Sequence, residues 1–363
     1  MRIALVHYSA PPTVGGVERV IEQQADVLAR HGHKVIVVSA TKGAKVDGAI
    51  MEYAPNFYVK RVRSALAGCE VVIVHNMFTM PFNWEASQMF ASLRQEMTGT
   101  RFINWVHDVD VAQEAFAGLQ LKAVHIAVSE SRKSEFCTKL GIKATQCQVI
   151  PNGVDAAKTL GLGVGAAAFA NKHRLLEREL VLFHPARLLA RKNIELSIEV
   201  TAALQKQGLD AACVITGAAD PHRLESAEYA DKMRALAVKK KMEAHVLFAG
   251  DAFEIGEDDV RAFYSLADAL IFPSKAEGFG LPVLEATLHR LPAFCSDIPA
   301  HRELAGTGVV FFKLTEKADD LANQIVKHLK KDKAIARKRW VLRQFGWDRI
   351  YEECLEPLLK ERY

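Results

Sequence analysis

Long apolar runs are missing from this 363-residue sequence. No stretch is long and apolar enough to span a bilayer, and the opening MRIALVHYSA is too short and too soon interrupted to be a signal peptide, so a cytoplasmic protein is expected. Paired cysteines are missing too. The six at 69, 137, 147, 213, 295 and 354 form no CxxC and mostly sit among apolar neighbours, which reads as reduced core thiols rather than disulfides or metal ligands. There is no strong excess of one charge: a net +4 suits anionic small substrates and does not argue for nucleic acid. No repeat period and no low-complexity tail are present.

What the chain does have is 50% hydrophobic content over a length sufficient for two domains. Ile3-Ala4-Leu5-Val6 predicts a short buried strand. After a Pro- and Gly-rich loop, Val17, Ile21, Ala25 and Leu28 mark one face of a helix that Gly32 closes, and Val35–Val38 forms the next strand. That is a βαβ unit of a parallel sheet. Apolar strands at Val71–Val74, Phe102–Val106 and Val124–Val128 continue the alternation, and a second series runs from Leu180–His184 through Val214-Ile215, Val246–Ala249, Ala269–Phe272 and Leu291–Cys295 to Val309–Phe312. The segment Gly161-Leu162-Gly163-Val164-Gly165 between the two series has no strand before it and the wrong spacing for a nucleotide loop, so it reads as a flexible connection. Gly15-Gly16 lies where the first loop meets its helix. A dehydrogenase would show G-x-G-x-x-G there and an acidic residue ending the second strand, whereas that strand ends in Ser39-Ala40-Thr41.

The chemistry concentrates between Phe272 and Arg290, reading FPSKAEGFGLPVLEATLHR. A buried strand ends at Pro273 and leads into a loop with Glu277, Gly278 and Gly280. Pro282 suits the first position of a helix, and Glu285 is expected in its first turn. Free amides and the positive end of the helix dipole would make a seat for a diphosphate. Carboxylates beside it are suited to neutral hydroxyls, which donate hydrogen bonds to them while phosphates repel them. A ligand with a diphosphate between two polyhydroxylated groups, a nucleotide sugar, fits both. Arg187, Arg191 and Lys192 supply cations at another turn after a strand, where Asn193 is placed to cap the following helix.

The run E-G-F-G-L-P-V-L-E from Glu277 to Glu285 resembles the signature of the retaining glycosyltransferases of the two-Rossmann-domain (GT-B) type, family four. The likeness extends over nearly the whole chain, through Trp105-Val106-His107-Asp108, Ser129-Glu130, Val149-Ile150-Pro151-Asn152-Gly153-Val154-Asp155, Arg187 with Lys192, and Phe345-Gly346-Trp347-Asp348-Arg349-Ile350. It implies an α/β fold of two Rossmann-like domains facing each other across a cleft. Residues 1–165 would form the acceptor-side domain, completed by a C-terminal helix, 346–363, that crosses back to it; residues 166–345 would bind the donor. By the same resemblance Arg187 and Lys192 take the donor diphosphate, Glu277 holds hydroxyls of the transferred sugar and Glu285 the ribose. Gly278, Phe279, Gly280 and Leu281 form the donor loop, Gly15 and Gly16 approach the diphosphate, and His107 meets a donor hydroxyl. Phe248-Ala249-Gly250 lies where the family commonly sandwiches the base.

The implied activity is metal-independent transfer of a hexose from a UDP- or GDP-sugar to an acceptor hydroxyl with the anomeric configuration kept, by attack on the same face through a short-lived oxocarbenium-like state. No cofactor and no metal are expected: Asp108-Val109-Asp110 is the degenerate DxD tripeptide in the wrong fold for a metal site. A nucleotide-sugar epimerase or a phosphorylase on a similar scaffold is an alternative, although the surroundings of a phosphorylase's cofactor lysine are not recognisable. A catalytically silent binding subunit would have lost donor contacts, and Arg187, Lys192, Glu277 and Glu285 are all present. The acceptor stays open among lipid, sugar, sugar acid and polysaccharide, and so does the oligomeric state. The apolar loop Met77–Trp84 reads as internal packing ahead of an acceptor or membrane lining, and the basic run Lys327–Arg343 as a solvated helix face ahead of a lipid-attracting one, leaving open a weak peripheral contact at the inner face of the membrane.

Overall fold

A computed structural model describes residues 1–217, 224–304 and 308–361. It contains two compact units, Met1–Asp155 with Gln344–Tyr363, and Ala156–Arg343. Residues 362 and 363 of the expected C-terminal segment lie outside the described residues.

The first unit is built on a seven-stranded, all-parallel sheet of β1 (Arg2–His7), β2 (Lys34–Ser39), β3 (Ala49–Tyr53), β4 (Val71–His75), β5 (Arg101–Val106), β6 (Val124–Ala127) and β7 (Cys147–Val149), in the order β3-β2-β1-β4-β5-β6-β7. Its central strands are runs of Val, Ile and Leu because both faces are covered and alternate residues go to opposite cores. Ala4 and Val6 of β1 join one core with Phe57, Phe90 and Phe136. Ile3 and Leu5 join the other, with Ile21, Ala25 and Leu28 of the helix Gly16–Arg30. The chain terminus packs on this second face, burying Trp347, Ile350, Tyr351, Leu355 and Leu358. The amide of Val154 donates to the carbonyl of Phe345 at 2.7 Å, and the Trp347 indole donates to Gln23 Oε1 at 2.7 Å. Gly153 lies so close to the indole that a β-carbon there would fall 2.4 Å from it, which accounts for a glycine before the turn.

The second unit has a six-stranded parallel sheet of β8 (Leu180–His184), β9 (Ala211–Ile215), β10 (Val246–Phe248), β11 (Ala269–Phe272), β12 (Ala293–Ser296) and β13 (Val309–Phe312), ordered β10-β9-β8-β11-β12-β13. Asp268, fully buried before β11, receives the guanidinium of Arg339 at 2.6 Å, and the Lys338 ammonium donates to the carbonyls of Leu266 and Ala267 at 2.9 and 2.6 Å. Part of the basic run is therefore internal structure and not a solvated face.

Three expectations need correction. The Gly-rich segment after 160 is not a flexible connection: Val164–Lys172 is helical and its Ala166, Phe169 and Ala170 are buried in the second unit's core, while Gly165 leaves room for the ring of Phe253. For the same reason residues 156–165 go with the second compact unit instead of the first, and 344–345 with the first. Asn193 does not cap the helix Ile194–Lys206 with its side chain; it has a left-handed backbone (φ 55°) and its amide donates to the carbonyl of Pro273 at 3.1 Å. The two edge strands β3 and β7 carry no apolar run that would have marked them, the first being largely exposed and the second only three residues long.

Candidate active site

In the second sheet the strand order reverses between β8 and β11, which run side by side with the later strands going off in opposite directions. Loops leaving two such strands diverge and open a crevice at the carboxyl edge, where open parallel sheets bind ligands. The chain leaving β8 carries Arg187, Arg191 and Lys192; the chain leaving β11 carries Glu277 to Gly280. Topology therefore joins residues some eighty-five positions apart: Lys192 Nζ donates to Glu277 Oε1 at 2.5 Å and Arg191 donates to Glu277 Oε2 at 3.0 Å. Two backbone-anchored contacts tie the loops together, Lys275 N to Arg191 O at 2.7 Å and the Arg191 guanidinium to Ala276 O at 3.1 Å. Arg187 stands exposed on the same loop. Its position is held from below, because a β-carbon on Gly217 at the end of β9 would fall 1.9 Å from the Ala186 carbonyl and 2.3 Å from Arg187 Cα.

The electrostatics of the pair are unequal. Burial lowers the Lys192 pKa from the usual lysine range, and Glu277, although adjacent, does not fully restore it. At Glu277 burial acts upward, yet the neighbouring Lys192 and Arg191 more than offset it and the carboxylate stays ionised below the usual range. One carboxylate shared by two cations leaves a local positive charge, and the Lys192 side chain is only 12% exposed. Such a place favours an anion over water.

The helix Leu281–Leu288 begins one residue earlier than Pro282, so Glu285 falls just past the expected first turn. Its carboxylate accepts the Tyr264 hydroxyl at 2.7 Å, and the phenol is itself stacked on His289. Gly280 has φ 106° and its open side faces His301 and Leu304, so a side chain there would be both strained and crowded. Nothing lies near the missing side chain of Gly278, and Phe279 and Leu281 are exposed.

In the first unit the order reverses between β1 and β4. Three histidines mark the carboxyl ends of adjacent strands: His7 ends β1, His75 ends β4 and His107 follows β5. His7 Nδ1 donates to the His75 carbonyl at 2.9 Å; His75 Nδ1 and His107 Nε2 are 3.1 Å apart; His75 Nε2 and Gln24 Oε1 are 3.0 Å apart. Burial keeps His107 neutral, pushing its pKa down to about 3. The turn after β5 is fixed by Asn76, with φ 61°, whose Oδ1 accepts the amides of His107 and Asp108 at 2.9 and 2.8 Å. Asp108 pairs with Arg132 at 3.1 Å. Gly15 precedes the helix that Gly16 begins, and a β-carbon on Gly15 would collide with the Glu18 carboxylate, which takes a hydrogen bond from Ser9. In the loop Met77–Trp84, Met77 and Phe78 are wholly buried while Phe82 is exposed against Tyr8.

Sequence reasoning gave Arg191 no role beyond its charge and missed Tyr264, His7, His75 and Gln24. His7 and His75 carried a usable signal, since each closes a strand as His107 does; Tyr264 and Gln24 lie inside helices and carried none. A family model of the glycosyl transferases group 1 matches residues 167–343, and one of glycosyltransferase family 4 matches residues 14–158. The chain belongs to the glycosyl transferases group 1 family. Among relatives of this family member, mannosylglucosylglycerate synthase of Petrotoga mobilis is 22% identical over 289 residues, 69% of this chain and 65% of that protein. The lipopolysaccharide core biosynthesis mannosyltransferase LpcC of Rhizobium leguminosarum bv. viciae is 27% identical over 165 residues, 44% of this chain and 43% of the other. The chain thus spans less than two thirds of the length of these relatives. The crystal structure of Anabaena Alr3699/HepE in complex with UDP and glucose is 17% identical, covering 99% of this chain and 100% of that one, with a TM-score of 0.42.

Proposed function

We propose that this glycosyltransferase moves a hexose from a nucleoside diphosphate sugar to an acceptor hydroxyl, without a metal ion and with retention at the anomeric carbon. The observation that carries the reading is the pair of cations, Lys192 and Arg191, gathered on Glu277 beside a glycine-bearing loop and a helix N-terminus. Among the described residues no group of three His, Cys, Asp or Glu side chains is placed to hold a metal ion. Diphosphate charge would be met by Lys192, Arg187 and the loop amides, and these contacts strengthen as the bond to the sugar breaks and negative charge grows on the leaving oxygen. Glu277 and Glu285 would take sugar hydroxyls at the two ends. As the bond from the anomeric carbon to the phosphate oxygen breaks, the acceptor oxygen bonds to the same face and its proton passes to the departing phosphate. Neutral His107 does not serve as the acid in this scheme.

Names among the relatives make mannose the first sugar to test, with GDP and UDP as the bases. No helix among the described residues is long and apolar enough to cross a membrane, and a relative in lipopolysaccharide synthesis supports weak association with the inner membrane face and a glycan or lipid-linked acceptor. The test is incubation with a panel of UDP-, GDP- and ADP-sugars with and without chelator. Slow release of nucleoside diphosphate that survives chelation and quickens with a glycan acceptor supports the reading. Tight binding with no turnover on any acceptor points to a silent subunit, and a product with inverted configuration removes the same-face mechanism.

A further inference from the structure

We propose that Gln24 and His75 are positioning residues that fix the tautomer of His107, so that its Nδ1 accepts a hydrogen bond and does not donate one. The chain of contacts has a single sense once its inner end is set. Gln24 is fully buried and turns its amide oxygen to His75 Nε2 at 3.0 Å, so that nitrogen carries the hydrogen. Neutral imidazole has one N–H, which leaves His75 Nδ1 bare. His107 Nε2, 3.1 Å away, must then be the donor, and His107 Nδ1 is left with a lone pair. Burial of His75, which has no exposed surface, disfavours the charged ring that would break this logic.

The arrangement is a relay with two self-consistent settings. Turning the Gln24 amide over would reverse every donor and acceptor along it and present N–H instead of a lone pair. Gln24 comes from the helix Gly16–Arg30, whose next residue toward the N-terminus, Gln23, is held by Trp347 of the chain terminus. The His107 backbone is fixed separately through Asn76, so the relay sets the ring's chemistry and not its place. The consequence rests on the transferase reading above and on the donor sugar meeting His107, as the family resemblance implies: a sugar hydroxyl at that nitrogen must bring the hydrogen. A donor with fluorine at that position, which accepts but cannot donate, then meets lone pair against lone pair.

The decisive measurement is the multiple-bond nitrogen correlation spectrum of histidine-labelled protein without nucleotide. The expected result is N–H at Nε2 and a bare Nδ1 for both His75 and His107; N–H at His107 Nδ1 would overturn the proposal. Because it is read on the unliganded wild-type protein, this result stands or falls apart from the transferase reading. Gln24→Met removes the acceptor at nearly constant volume and is expected to turn the single His107 tautomer into a mixture. On a series of monofluorinated donors, one position should cost the wild type about tenfold more turnover than it costs Gln24→Met, a difference of about 1.4 kcal/mol. Equal losses at every position in both proteins would remove the specificity role, whereas a merely structural Gln24 would lower all rates alike.

Discussion

Lys192 is held between two opposing forces. Burial weakens its grip on the proton, and the adjacent Glu277 restores only part of it, so in the empty site this ammonium is under-compensated. A diphosphate would supply the missing negative charge and raise its pKa. Binding should accordingly take up protons in alkaline solution, and nucleoside diphosphate affinity should fall as pH rises through the lowered Lys192 value. Isothermal titration in buffers of different ionisation heat reads that proton uptake, and Lys192→Arg should abolish it because guanidinium stays charged. Lys192→Ala should lower kcat/KM for the donor by roughly 10²–10³, the effect of losing one preorganised donor to a developing anion. The residue scale also shows what the sequence could and could not tell. Lys192, Glu277 and Glu285 stand out by their motif, whereas Arg191 has no motif role, and its contact with Glu277 comes from β8 and β11 lying side by side. Tyr264 was invisible for the same reason, its partner Glu285 being supplied by another helix.

At the scale of elements, the strand ends do the positioning, and two glycines of different kind test this. Gly217→Ala forces a methyl group against the Ala186 carbonyl and the Arg187 backbone. It should destabilise the second unit by about 1–3 kcal/mol, seen in denaturant unfolding, and displace the Arg187 turn. Gly278→Ala meets no protein atom. Stability should be almost unchanged while nucleotide-sugar binding weakens; unchanged binding would show that no ligand comes close to that backbone. Most of the sheets was legible because buried parallel strands are written as runs of Val, Ile and Leu. Strand β3 escaped because an edge strand needs no such run, and the helix Val164–Lys172 escaped because three glycines around its start suggested a linker.

For the whole molecule, division into compact units makes its own predictions. The second unit is one continuous stretch, Ala156–Arg343, with its own buried Asp268–Arg339 pair. That fragment alone should fold and bind nucleoside diphosphate, as differential scanning with ligand would reveal, and within it Arg339→Met should cost about 3 kcal/mol by leaving the buried Asp268 carboxylate with only the Lys338 ammonium, 3.5 Å away, to offset its charge. The first unit is discontinuous, and Trp347→Ala should destabilise it by about 3–5 kcal/mol. The sequence announced this return of the chain through its closing motif around Trp347, though not the hydrogen bond to Gln23 that anchors it. During synthesis the order of completion is therefore inverted: the half begun first is finished last. Until the segment beyond Arg343 has been made, the face of β1 and β4 whose core Leu355 and Leu358 join stays open to water and to other nascent chains. A stop before Leu355 would then damage the beginning of the chain, and a chaperone holding that face would be engaged for the whole time the second unit is being made.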